Sequence, residues 1–211
     1  MAFGESEKNR KLSEAEQRRL RGFERLRESL TAQGYRCTEL TVGVVRANIV
    51  SMLIAIPVTV LGMGLFMLVN LDKDWVLGGN LASIAILLVL VVVHEGIHGL
   101  TWSIFAPNHL SDIEFGFMKE YLTPYCTCKA PLAKWPYVVG GLAPLVVLGI
   151  IPTVVAIATG SFSLLVIGLI MILAAGGDMM IAWMILRHRA TGLELLVLDH
   201  PTQAGSVVFE R

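Results

Sequence analysis

Charge is what this 211-residue chain has least of. Asp, Glu, Lys and Arg make up 16% of it, against ~25% in an ordinary soluble domain. The formal net charge is +0, so nothing in the bulk charge points to nucleic acid as a partner. Cysteine is scarce as well: Cys37, Cys126 and Cys128 are all there is. An odd count at these spacings excludes a disulfide framework. Cys126-Thr127-Cys128 lacks the second Cys or His pair that would complete a zinc site, and reads as small apolar residues on a strand. The first 46 residues are polar and hold ten of the seventeen lysines and arginines. No cleavable signal peptide is expected from such a start. Internal repeats and low-complexity tracts are missing too.

Apolar residues fill the space that charge leaves. They form 55% of the chain, and the mean hydropathy is +0.66. The expectation is a predominantly α-helical, integral membrane protein: an all-α transmembrane core with short β elements outside it. Four apolar spans stand out, at about 47–69, 81–105, 138–158 and 162–186. Each has about twenty residues, enough at ~1.5 Å per residue to cross ~30 Å of hydrocarbon. The third contains Gly140-Gly141-Leu142-Ala143-Pro144 and Pro152, so irregular backbone is expected there. Three regions follow: a basic N-terminal segment over 1–46, a four-helix domain over 47–186 and a tail over 187–211.

Outside the spans the pattern changes. Ser13-Glu14-Ala15-Glu16 reads as a capping box that opens a helix. Leu20, Phe23, Leu26 and Leu30 recur in it at helical spacing, and Gly34 marks its stop. This amphipathic helix suits either an anionic membrane surface or the protein's own cytosolic parts. Residues 107–136 read as two short strands, a hairpin whose edge is available to an extended substrate. The tail reads as two more strands about an Asp199-His200-Pro201 turn. Lysines and arginines crowd the N-terminal segment, the second loop and the tail, which places both termini and that loop on the cytoplasmic side.

The second span carries His94-Glu95-Gly96-Ile97-His98. Ionisable residues in a lipid-spanning helix are costly and mark function. Residues four apart share a helix face, so both imidazoles reach one metal ion, and Glu95 is placed to act as general base on water. Catalytic zinc takes three protein ligands. The fourth span supplies Asp178, its one ionisable residue. His98 lies nine residues before Pro107, and Asp178 nine before Arg187. Both therefore sit roughly 13 Å inside the cytoplasmic boundary. His109, Asp112 and Glu114 are the rival third ligands. Asn108, His109, Lys119 and Lys129 are candidate donors to an oxyanion, and Gly140 to Pro144 is a candidate opening for water. A hydrolase with two His and one carboxylate points to Zn2+.

On these residues the chain is similar to the site-2 protease class of intramembrane metalloproteases. In that class the aspartate sits in a Leu-Asp-Gly motif, whereas here it sits in Gly177-Asp178-Met179. Over about residues 40–209 the chain resembles a family of small prokaryotic membrane proteins described as putative zincin peptidases. The matching features are the His94-to-His98 helix, Ala143-Pro144, Asp178, and Asp199-His200-Pro201 with Gly205. The resemblance implies a metalloprotease of the prokaryotic cytoplasmic membrane. Asp199 and His200 read as turn residues on their own chemistry.

The expectation is therefore an intramembrane zinc endopeptidase that cleaves a membrane-associated protein or peptide. Two other classes compete. A catalytically silent zincin-like protein would bind a membrane partner, but it has no need to keep Glu95. A divalent-metal transporter needs polar residues along a path, and spans one and three hold no charged residue.

Overall fold

A computed structural model describes residues 13–74, 81–118, 123–190 and 192–211. Three helical stretches are long and apolar enough to cross a membrane, and a bent pair of helices makes a fourth candidate. The first is α2, Val44–Val69. The second is α3, Leu81–Phe105. Their outward faces are apolar: Leu53, Leu88 and Ile104 are each at least two-thirds exposed. Such faces suit hydrocarbon and are anomalous in water. Asn70, at the end of α2, is buried, and its Nδ2 donates to the Phe66 and Ile157 carbonyls at 3.1 and 3.0 Å.

The third stretch runs Lys134–Thr159. It consists of α4 (Lys134–Pro144), a π-helical segment (Leu145–Ile150) and α5 (Ile151–Thr159). The expected irregularity is real but lies after Pro144 rather than over Gly140–Pro144, which is α-helical. A proline donates no N–H, and Pro144 and Pro152 flank the segment that re-pairs its ladder as a π-helix.

The fourth span differs from the expected single helix over 162–186. It is α6 (Phe162–Ala174) and α7 (Gly176–Arg187), bent by 47° at Ala175. Gly176 packs against the backbone of Ser51 in α2, where an added Cβ would sit 3.1 Å from the Ser51 carbonyl oxygen. The bend thus falls at two glycines, which hold helix geometry weakly and admit a neighbouring backbone. It places Asp178 in the first turn of α7.

The β elements are more extensive than expected. A hairpin pairs β2 (Ile113–Met118) with β3 (Thr123–Cys128). A separate antiparallel sheet has the order β1-β6-β5-β4, with β1 at Arg36–Thr41, β4 at Leu132–Ala133, β5 at Leu195–Asp199 and β6 at Gly205–Glu210. The tail strands were expected; β1, within the basic segment, was not. It pairs with β6 in the register Arg36↔Glu210 to Thr41↔Gly205. The N-terminal segment and the tail therefore meet in one sheet.

The N-terminal helix α1, Glu14–Ala32, opens on the expected capping box at Ser13 and Glu16 and ends before Gly34, whose φ is +89°. Its apolar face settles the choice left open above. Phe23 and Leu30 pack with Leu198, Val207 and Phe209 of the sheet. The other face of the sheet, through Val197 and Val208, packs on Tyr137 and Ile185 of the helical bundle. Residues on both faces of β6 are buried, which is why Val207-Val208-Phe209 is an unbroken apolar run instead of an alternating one. Cutting Phe23 to alanine should cost about 3–5 kcal/mol of stability. Thermal unfolding in detergent checks this; an unchanged midpoint would undock α1 from the sheet.

Candidate metal centre

His94 and His98 lie one turn apart on α3 and are 7% and 4% exposed. The bend at Ala175 aims the Asp178 carboxylate of α7 at both. His94 Nε2 is 3.1 Å from Asp178 Oδ2, His98 Nε2 is 3.5 Å from Asp178 Oδ1, and the two Nε2 atoms are 3.2 Å apart. Among the described residues this is the group of His, Cys, Asp and Glu side chains that converges closely enough to hold a metal ion.

The donor set fits zinc. Bonds of ~2.0–2.1 Å in a tetrahedron put ligand atoms about 3.3 Å apart, and the three observed separations bracket that length. Tautomer chemistry agrees. His98 Nδ1–H donates to the Gly140 carbonyl at 2.9 Å, which leaves the lone pair of a neutral ring on Nε2. Two imidazole nitrogens and a carboxylate that turn lone pairs inward repel one another unless a cation lies among them. The third ligand is thus better served by Asp178 than by its rivals. Asp112 is engaged by Asn108, whose backbone N–H donates to it at 2.9 Å. His109 Nδ1 meets the Ser103 carbonyl at 3.0 Å. Glu114 is on β2, outside the convergent group.

A second layer orients His98. Trp102, one turn along α3, stacks on its ring at 5.1 Å and 16°. The indole Nε1 donates to the Tyr137 carbonyl at 3.0 Å. Gly140 is needed at its position: a Cβ there would fall 2.1 Å from the Trp102 ring. Gly140 therefore supplies a carbonyl where any side chain would push the helices apart. His94 has no such partner: its Nδ1 is buried without a hydrogen bond among the described residues.

Glu95 is half-buried beside the ligands. The hairpin lies on α3 at Gly99, where an added Cβ would meet the Phe115 ring at 2.5 Å. Lys129 N–H bonds the Asp112 carbonyl, so the antiparallel alternation turns the N–H groups of Cys126 and Cys128 outward from the hairpin. The first faces the Glu95 carboxylate and the second the Asp199 carboxylate. Pro124, the next outward position, has no N–H. The outward donors of this strand edge therefore face carboxylates of the protein itself. Burial pushes both thiols up, Cys128 to about 11. They are neutral at physiological pH and poor metal ligands, as expected for residues filling space.

Of the expected oxyanion donors, two have partners elsewhere. Asn108 and His109 are committed as described, and Lys129 is exposed; Lys119 lies outside the described residues. His200 is a turn residue as expected, its Nδ1 accepting from the backbone N–H groups of Thr202 and Gln203. Asp199 is more than that. It accepts from the hydroxyl of Thr127 at 2.7 Å and from that of Tyr137, and desolvation raises its carboxyl above the ordinary range. Trp102, Tyr137 and Thr127 were not legible as site residues, because neither spacing nor charge distinguishes them from ordinary packing.

The chain belongs to the family described as "Putative zincin peptidase", whose family model matches residues 87–192, half of its length. The matched stretch holds His94, Glu95, His98, Gly140 and Asp178. It stops short of β5 and β6. No curated protein and no solved structure matches the chain significantly.

The Gly140 contact yields a test. Gly140→Ala should displace the carbonyl from His98 and weaken metal binding about 10- to 100-fold, the usual effect of losing an outer-shell partner. Chelator competition on purified protein measures it. Unchanged affinity would show that His98 needs no help from that carbonyl.

Proposed function

We propose that this zincin-family chain is an integral membrane zinc endopeptidase that hydrolyses a membrane-associated protein or peptide from the cytoplasmic side. The observation that carries the reading is the convergence of His94, His98 and Asp178 at zinc-ligand separations within helices apolar enough to span a bilayer. The positions of the lysines and arginines support cytoplasmic termini and a cytoplasmic hairpin.

His94, His98 and Asp178 would hold the ion. Zinc bound there supplies Lewis acidity, lowering the pKa of water toward ~7 and polarising a carbonyl. Glu95 does the proton work. It takes a proton from the attacking water as the new C–O bond forms, and returns it to the amine as the C–N bond breaks. The Cys126 N–H holds that carboxylate from the side of β3. The Gly140 carbonyl keeps the His98 ring in the tautomer that presents Nε2. A substrate segment beside β3 meets the outward carbonyls of Pro124 and Cys126, so its own N–H groups provide the pairing.

Purified full-length protein should contain one zinc per chain, and His94→Ala should lose it. Asp178→Ala should bind zinc measurably more weakly; an unaltered affinity would move the third ligand elsewhere. Glu95→Gln should retain zinc yet lose about 10²–10⁴-fold in cleavage rate, the range expected for removal of a general base. The substrate is obtained by capture on the Glu95→Gln protein in membranes, followed by incubation with wild type. Normal cleavage by Glu95→Gln would remove Glu95 from the mechanism.

A further inference from the structure

Asp199 ends β5, in a segment that sequence reads as a turn and that lies beyond the family match. We propose that Asp199 is a positioning residue that sets the mutual register of the two halves of the metal centre: the His98-orienting face of α4 and the Glu95-holding edge of β3. The proposal rests on the metallopeptidase reading above and extends it to a residue on the cytoplasmic sheet.

Two chains of contacts start from this carboxylate. One runs through α4. The Tyr137 hydroxyl donates to Asp199 and also meets Ser206 Oγ of β6 at 3.1 Å. The Tyr137 carbonyl receives Trp102 Nε1–H, and Trp102 stacks on His98. One turn further along α4, the Gly140 carbonyl receives His98 Nδ1–H. The rotation of this first part of α4 therefore sets both groups that orient the His98 ring, and the Tyr137 hydroxyl anchors that rotation to Asp199.

The other chain runs through β3. Thr127 Oγ1 donates to Asp199 at 2.7 Å, and the Cys128 N–H points at the same carboxylate. Cys126 and Cys128 are two residues apart on one strand edge, so their N–H groups are about 6.6 Å apart along it. Once Asp199 holds the Cys128 position, the Cys126 N–H is delivered to Glu95. Slippage of β3 by one residue would turn the other set of N–H groups outward and leave Glu95 without it. A neutral turn residue has no means of accepting from two hydroxyls and a backbone amide at once; a carboxylate has.

Two substitutions probe this in the full-length protein. Tyr137→Phe removes one hydroxyl and leaves ring and backbone in place, so it remains informative even where an Asp199 variant fails to accumulate. Asp199→Asn keeps the shape but opposes an NH2 group to incoming donors. Cobalt(II) titration should show both binding about 10- to 100-fold more weakly than wild type, with altered d–d bands. In metal-free, 15N-histidine-labelled protein, the His98 resonances should move from the Nδ1–H tautomer toward a mixture. His200→Ala, which touches only the turn, should match wild type in both readouts. Wild-type cobalt affinity and wild-type His98 shifts in the two variants overturn the proposal. So does a lowered melting temperature with unmoved His98 shifts, which is the mark of a purely structural role. If wild type itself binds no cobalt, the metallopeptidase reading falls. The His98 tautomer in metal-free protein then decides the present proposal alone, redistribution supporting it and no change overturning it.

Discussion

The mutual approach of His94, His98 and Asp178 is the constraint from which the rest of the architecture follows. Polar groups inside an apolar bundle are costly unless paired. These three face one another at 3.1–3.5 Å, and His98 Nδ1–H is already given to Gly140. A divalent cation among them would accept all three lone pairs at once. Reaching that arrangement takes two helices at close quarters and a carboxylate pointed sideways off one of them. The bend at Ala175 provides the second requirement, since it starts a new helix two residues before Asp178. The glycines at 140 and 176 provide the first, because each meets a neighbour where a Cβ would not fit.

The sheet outside the bundle belongs to the same construction. It is clamped between α1 and the helical core, with Val207 and Phe209 on one face and Val208 on the other. Truncating any of these residues would open a cavity in one of the two layers. Such burial on both faces leaves β5 little freedom to shift, so a carboxylate at its end is a fixed point. Thr127 of β3 and Tyr137 of α4 both donate to it. The separation between a membrane domain and a soluble tail, natural when the chain is read as hydropathy, dissolves at this carboxylate.

How much of this was legible in the chain depended on the range of the interaction. The capping box at Ser13, the spans from Val44 and Leu81 and the hairpin strands are local patterns, and each was readable. Asp178 is a long-range partner, yet it was readable because lipid imposes depth: counting nine residues to each boundary substitutes for seeing the contact. Three features escaped. The strand β1 is Arg-Cys-Thr-Glu-Leu-Thr, with no marked alternation; it is a strand because β6, at the far end of the chain, offers it a ladder. The break at Ala175 lies inside a run of unbroken hydropathy, where Gly176 meets the backbone of Ser51. Asp199 carries the composition of a turn residue, and its carboxylate acquires partners only after three distant segments have met.

The position of Glu95 explains why a β-hairpin interrupts a bundle of helices. It follows His94 directly, so it points about 100° away around the helix from the face that carries both histidines. The α4 neighbour that orients His98 through Gly140 is therefore on the wrong side to hold it. A second helix is a poor substitute, because helical N–H groups beyond the first turn are already paired along the axis. A strand edge is different: every second N–H points outward and is free to donate. β3 lies against α3 beside Glu95, and the Cys126 N–H faces the Glu95 carboxylate. Histidines fixed by helix packing and a glutamate faced by a strand edge are then two separate solutions to one requirement, that neighbouring side chains on a single helix be fixed in different directions.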